Sequence, residues 1–170
     1  MKPSAPHTVQ HTTSLTALLA GRWRHRRHSI PYQELYGVSL VDRMVIARNG
    51  IAPEVIDVLA RDLRIDAKVL IGYLGIRKGI FERRRRERTP LNSSDSEHLL
   101  GALGLVGQVQ QMVELCGDPR EFDPCQWTGR WISTPLPALG NRTPSEFLDT
   151  IAGQSLISQL LSQNLSAAFA

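Results

Sequence analysis

Cysteine is scarce in this chain: its 170 residues hold two, Cys116 and Cys125. Two thiols cannot build a disulfide framework, and their eight-residue gap, with no histidine near, does not suit a zinc site. Both read as packed or idle thiols, in keeping with a reducing cytoplasm. Aromatics make up only 6% of the residues, which favours aliphatic helix packing over an aromatic-rich β fold. No apolar run approaches the roughly 18 residues of a membrane span, and Met1 to Gln10 lacks the apolar core of a signal peptide. His7, His11, His25 and His28 have helix-compatible spacings, yet no acid or cysteine joins them, so no metal site is expected. Catalytic constellations are missing as well. The chain has no Walker-type glycine loop, no His-Glu helix pair, and no Cys or Ser beside a positioned base. Its acids gather at helix starts, where the macrodipole accounts for them. The expectation is a protein that is not an enzyme and carries no cofactor.

What is present is a charge asymmetry. Residues 1–88 hold 17 Lys or Arg against 8 acids, a balance of +9, while residues 89–170 hold 3 Arg against 8 acids, a balance of −5. A basic half joined to an acidic half suggests two partners of different sign. The basic half suits a phosphate backbone; the acidic half suits a protein. With 42% hydrophobic residues the chain can bury one or two small cores.

Read along the chain, helical signals dominate and an all-α fold is expected. Residues 1–36 read as a partly disordered extension: a polar tail to Thr13, a short helix near 14–20, and the basic Arg22–His28 cluster. That cluster is either a phosphate-binding segment, with Trp23 interleaved, or a solvated linker. Residues 37–93 read as a helix-turn-helix domain. Ser39 caps a helix carrying Leu40, Met44 and Val45, and Asn49-Gly50 stops it. Pro53 opens a second helix whose apolar face is Val55, Val58, Leu59 and Leu63. Asp66 caps a third, Ala67 to Tyr73, with Val69, Leu70 and Leu74 facing one way. Gly75 makes a tight turn, Ile76 plugs it, and Arg77 to Arg88 forms a basic helix. Four successive arginines repel one another on a free helix and become favourable against DNA.

Thr89 to Ser94 reads as a linker. Ser94 with Glu97 reads as a capping box opening the long helix of residues 94–116. Gly101, Gly104 and Gly107 recur in it every three residues. That stripe is either the close-packed face of a central core helix or a homodimer seam. Beyond it, Pro135 and Pro137 fix φ, Gly140 permits a positive φ, and Thr143-Pro144 with Glu146 is a capped helix start. Trp127 and Trp131 lie upstream to pack beneath it. A last helix, roughly Thr150 to Leu165, carries Ile151, Leu156, Ile157, Leu160, Leu161 and Leu165, a stripe wide enough for part of it to face a partner. The terminal Phe169 is either frayed or a plug for a partner's cleft.

Residues 117–170 resemble the C-terminal toxin-binding domain of the Xre/MbcA/ParS antitoxins. The resemblance is carried by Gly117-Asp118-Pro119, Trp131, Thr134-Pro135, Ala138-Leu139-Gly140, Thr143-Pro144 and the final helix, in the family's order. One departure is the insertion of Glu121 to Gly129 before Trp131. Residues 67–88 resemble the helix-turn-helix of Xre-like repressors, with Ile71 where a small residue is usual, Arg77 where Ser or Thr is usual, and Gly79 inside the second helix. The resemblance implies an antitoxin of a type II toxin–antitoxin pair. It also implies a RES-domain toxin partner that consumes NAD, promoter DNA as a second partner, and a homodimer. On that reading Arg142, Ser158, Leu161, Gln163, Asn164 and Phe169 are the candidate toxin contacts. Arg77, Lys78, Arg83, Arg84 and Arg86 are the candidate DNA contacts. Two alternatives stay open: a transcriptional repressor whose C-terminal domain dimerises or senses a ligand, and an adaptor that binds no DNA.

Overall fold

A computed structural model describes residues 15–19, 29–116 and 122–168. The regular elements of the described residues are all helices, as the periodicity predicts, with one isolated bridge between Leu136 and Arg142. The elements are α1 (15–19), α2 (Tyr32–Tyr36), α3 (Leu40–Asn49), α4 (Glu54–Leu63), α5 (Ala67–Tyr73), α6 (Lys78–Glu87), α7 (Ser93–Cys116), α8 (Pro124–Ile132) and α9 (Ile151–Ala168). Short 3-10 turns, Pro137–Leu139 and Pro144–Phe147, fill the gap between α8 and α9. The expected disordered tail, the Arg22–His28 cluster, the candidate histidine ligands, Gly117-Asp118-Pro119 and Phe169 lie outside the described residues.

Most of the anticipated caps form. Ser39 accepts from the Asp42 N–H at 3.1 Å and Asp66 from the Lys68 N–H at 2.7 Å. Gly50 and Gly75 adopt the positive φ values of 79° and 67° that stop α3 and turn the chain after α5. The start of α7 differs from expectation. Asn92 rather than Ser94 is the cap, its carbonyl oxygen accepting from the Asp95 N–H at 2.8 Å while its amide donates to the Asp95 carboxylate at 2.8 Å. This Asn-x-x-Asp pair caps the helix two residues earlier than expected, with a side-chain to side-chain bond in place of the second bond of a capping box.

α7 is the central strut. α2, α3, α8 and α9 all pack on it. Its inward side chains Leu99, Leu100, Leu103, Val106 and Val109 are buried. The glycine stripe is where neighbours come closest. A Cβ built at Gly107 would lie 2.0 Å from the Tyr32 carbonyl oxygen of α2, one at Gly101 would strike the Gln154 side chain of α9, and one at Gly104 would touch Arg43 of α3. The three glycines are therefore covered by this chain's own helices, which is the core-helix alternative. The stripe is not open to a second copy.

Three further expectations are corrected. The linker of residues 89–94 is a packed strap: Leu91 is buried and its N–H bonds the Ile51 carbonyl at 2.8 Å, while buried Ser96 accepts from the Ile51 N–H at 3.0 Å. Leu40, Met44 and Val45 do not face the core. They and Val41 are exposed, and α3 is held instead by Ile46, Ala47 and the stem of half-buried Arg43. Val69 of α5 is likewise exposed, leaving Leu70, Ile71 and Leu74 as its buried face. A strand of sequence logic missed α2 altogether, although Tyr32 and Leu35 are core residues. The Tyr32 hydroxyl donates to Asp62 at 2.8 Å, and burial, then that bond, raise its pKa.

The C-terminal helices are keyed to the N-terminal ones by Gly129. A Cβ there would lie 2.1 Å from the Leu63 carbonyl oxygen at the end of α4. Backbone cannot yield as a flexible side chain does, so Gly129→Ala is expected to destabilise the protein by about 1–3 kcal/mol, measured by urea or thermal denaturation. Gly101→Ala, which meets only the Gln154 side chain, is expected to cost less than Gly129→Ala in the same assay.

Candidate functional site

The residues inserted before Trp131 lengthen its helix rather than displace it. Asp123 caps α8 by accepting from the Gln126 N–H at 3.0 Å, and Pro124 takes a position where no N–H is needed. Trp127 then stacks on Trp131 with ring centroids 5.9 Å apart, and Phe122 tilts against Trp127 at 6.1 Å. Cys125 is half-buried in this layer, and desolvation pushes its thiol up to about 12, so it is an inert thiol rather than a nucleophile.

After α8 the chain makes a closed loop. The Leu136 N–H bonds the Arg142 carbonyl at 3.0 Å, and Gly140 and Asn141 take left-handed φ values of 65° and 63° to turn it. Pro135, Pro137 and Ala138 project into solvent at its tip. Thr143 and Glu146 form the expected capping box, and the helix that they start is a short 3-10 turn, Pro144–Phe147. The Glu146 carboxylate accepts from the Thr143 N–H at 2.9 Å and from Arg142 Nε at 2.9 Å. The Arg142 guanidinium also lies over the Phe147 ring, 4.6 Å from its centroid. Arg142, a candidate contact, is thus exposed and held in place on the loop's rim.

Thr150 caps α9 by accepting from the Gly153 N–H at 3.1 Å. Two buried glutamines then set the rotation of α9 against α7. Gln154 donates to the carbonyls of Leu148 at 2.7 Å and His98 at 2.9 Å. Gln108 of α7 donates to the Ser158 carbonyl at 3.0 Å and to Ser162 Oγ at 2.8 Å, and accepts from Ser158 Oγ at 2.8 Å. Ile157 and Leu161 pack inward between these ties.

The candidate toxin contacts therefore divide. Arg142 and Gln163 are exposed. Leu161 is fully buried and half-buried Ser158 is engaged by Gln108, so both help hold α9 on the core. The Asn164 side chain and Phe169 lie outside the described residues. The exposed apolar positions of α9 are Ile151 and Leu156, 44% and 40% exposed, with Ala152, Ser155, Gln159 and Gln163 around them. Sequence reading missed the glutamine ties, although Gln154 sits three and seven residues before Ile157 and Leu161, on their own inward stripe.

At the other end, Arg77, Lys78, Arg83 and Arg86 are exposed around α6. Arg84 is half-buried, with its Nε shielded and unpartnered. Arg85 pairs with Asp57 of α4 at 3.3 Å; burial raises the Asp57 carboxyl, and Arg85 opposes that rise. The two ends are in contact. His98 Nδ1 lies 3.0 Å from the Leu74 carbonyl, and a Cβ built on Gly75 would lie 3.0 Å from the Asp149 Cβ. Among the described residues no group of three or more His, Cys, Asp or Glu is placed to hold a metal, and no helix is long and apolar enough to cross a membrane.

Residues 122–163, from the aromatic stack to the outer face of α9, match the model of the antitoxin Xre/MbcA/ParS C-terminal toxin-binding domain. The chain is also 37% identical over 139 residues to the "Prs ADP-ribosylating antitoxin" of Sphingobium sp. (strain YBL2), covering 82% of this chain and 87% of that protein. The chain belongs to the Xre/MbcA/ParS antitoxins. A likeness of 139 residues takes in far more than the 42 of residues 122–163, so helices before α8 share in it.

The antitoxin's rim loop carries a pH-sensitive contact. The Thr143 N–H and then Arg142 hold the Glu146 carboxyl below the ordinary glutamate value of about 4.3. A lowered folded pKa contributes stability above the unfolded value, and that contribution is lost as pH falls through the folded one. Carboxyl NMR titration should place the Glu146 midpoint on the acid side of about 4.3. In Arg142→Ala it should return only part of the way, because the Thr143 N–H remains.

Proposed function

We propose that this antitoxin neutralises a RES-domain toxin, an NAD-consuming enzyme, by covering its active site. The covering surface is the outer face of α9 around Ile151, Leu156 and Gln163, the Arg142 rim, and the residues that follow α9. The observation that carries this reading is the coincidence of the toxin-binding match at 122–163 with a surface built for contact. Two large apolar side chains stand outward on a helix whose rotation is pinned by buried glutamines, and an exposed arginine is tied to Glu146 on the loop before it. The name of the Sphingobium relative supports the chemistry, since an ADP-ribosyl group is taken from NAD.

We further propose that the antitoxin acts in the cytoplasm as a type II antitoxin and represses its own promoter as a homodimer. α5, the Gly75 turn and α6 are arranged as a helix-turn-helix, with Arg77, Lys78, Arg83 and Arg86 free to meet phosphates or bases and Arg84 stiffening the helix from its inner side. The dimer contact is assigned to α3, where Leu40, Val41, Met44 and Val45 leave an apolar face uncovered.

Co-expression with the adjacent reading frame tests the toxin reading. The two proteins are expected to co-purify and growth to be restored. Leu156→Arg is expected to abolish both without changing the melting temperature, whereas Leu161→Ala should lower stability by about 2–5 kcal/mol. Retained rescue by Leu156→Arg at wild-type stability refutes the assignment of the α9 face. For the dimer, the double variant Met44→Asp and Val45→Asp is expected to sediment as a folded monomer where the wild type sediments as a dimer.

A further inference from the structure

Glycine inside a helix needs a reason, because it weakens the helix relative to alanine. Gly101, Gly107, Gly129 and Gly153 each have one: a Cβ at any of them would lie about 2 Å or less from another group of the fold. Gly79, in the first turn of α6, has none. A Cβ built there meets no atom of the chain within 4 Å, and its φ is not in the left-handed range. Gly72, next to the end of α5, is equally open. The fold thus does not require Gly79, and the helix is weaker for having it.

The company Gly79 keeps supplies the reason. At 100° per residue, Gly79, Arg83 and Arg86 lie on the side of α6 opposite buried Phe81, with Glu82 on the flank beside them, and all four are exposed. Three of the four are charged, and one is acidic. Among the described residues Glu82 forms no ion pair, although Lys78 and Arg86 stand one turn to either side of it. A carboxylate aimed at phosphates would be repelled. One aimed into the major groove can accept from an exocyclic amine of cytosine.

We propose that Gly79 is the point of closest approach between α6 and the floor of a DNA major groove. The missing side chain lets the helix sink far enough for Glu82 and Arg83 to reach base edges. The inference rests on the reading that α6 meets DNA, and it adds that Gly79 sets the depth of docking and so the sequence discrimination.

Gly79→Ala separates the two. The variant folds, because its methyl group enters open space, and its melting temperature should rise by about 2–4 °C. Binding is measured for wild type and variant on the duplex upstream of the antitoxin's own reading frame and on a scrambled duplex of equal length. The expected result is a loss of roughly tenfold on the upstream duplex, the order of one base contact, and less than about twofold on the scrambled one. A variant that is more stable and binds the upstream duplex as tightly as wild type overturns the role of Gly79 and leaves the DNA reading standing. An equal loss on both duplexes also overturns it, because docking depth would then carry no sequence discrimination. A wild type that shifts neither duplex sinks the DNA reading and this inference together.

Discussion

The structure depends on how closely α7 can be approached. Each glycine of Gly101, Gly104 and Gly107 weakens the helix by up to about 1 kcal/mol relative to alanine, yet Gly101 and Gly107 each remove a Cβ where another group must pass, and Gly104 leaves contact distance to Arg43. Gly107 admits the backbone of α2, Gly101 the amide of Gln154, and Gly104 the guanidinium of Arg43. The gain is burial on both flanks of one strut, since Leu99, Leu103, Val106 and Val109 are then covered from several directions at once. A Cβ at Gly101 would displace the Gln154 amide that ties α9 to α7.

Apolar contact alone would leave α9 free to roll, because Ile157, Leu160 and Leu161 could exchange places against α7 at modest cost. Gln108 and Gln154 remove that freedom. Each is buried, and each must satisfy its amide with particular partners, since a buried polar group left unpaired costs about 1–3 kcal/mol. Only one rotation of α9 gives Gln154 the carbonyls of Leu148 and His98 and gives Gln108 both Ser158 and Ser162. That rotation puts Leu156 and Gln163 outside. The outward face is therefore specified by what lies on the inward one.

Much of this was legible in the sequence and some was not, for physical reasons. Caps at Ser39 and Asp66, the Gly75 turn, the Thr143–Glu146 contact and the extent of α9 are local: the partners lie within four residues, and side-chain chemistry decides them. Helix orientation is not local. Leu40, Met44 and Val45 have the spacing of a core face, but α3 instead buries Ile46 and Ala47, because the neighbour that selects the face is α7, more than fifty residues away. The same holds for Leu161 and Ser158, whose position on the final helix was clear and whose direction was not. Gly129 was invisible because its partner is a backbone oxygen of Leu63, which has no sequence signature.

Packing also bears on how the two charged halves work. The strap at Leu91, the His98–Leu74 contact and the Gly75–Asp149 contact mean that α6 and α9 hang on one framework, not on a flexible tether. The described charges of the basic and acidic halves are then carried on one framework. Beside a polyanion, net charge matters little, because at physiological salt fields are screened beyond about 8 Å. What matters is which charges sit within that distance of a phosphate. Arg77, Lys78, Arg83 and Arg86 ring α6, Arg85 is partly neutralised by Asp57, and Arg84 is turned inward. A run of four arginines therefore presents two freely, and the helix's approach to DNA is governed by their direction more than by their number.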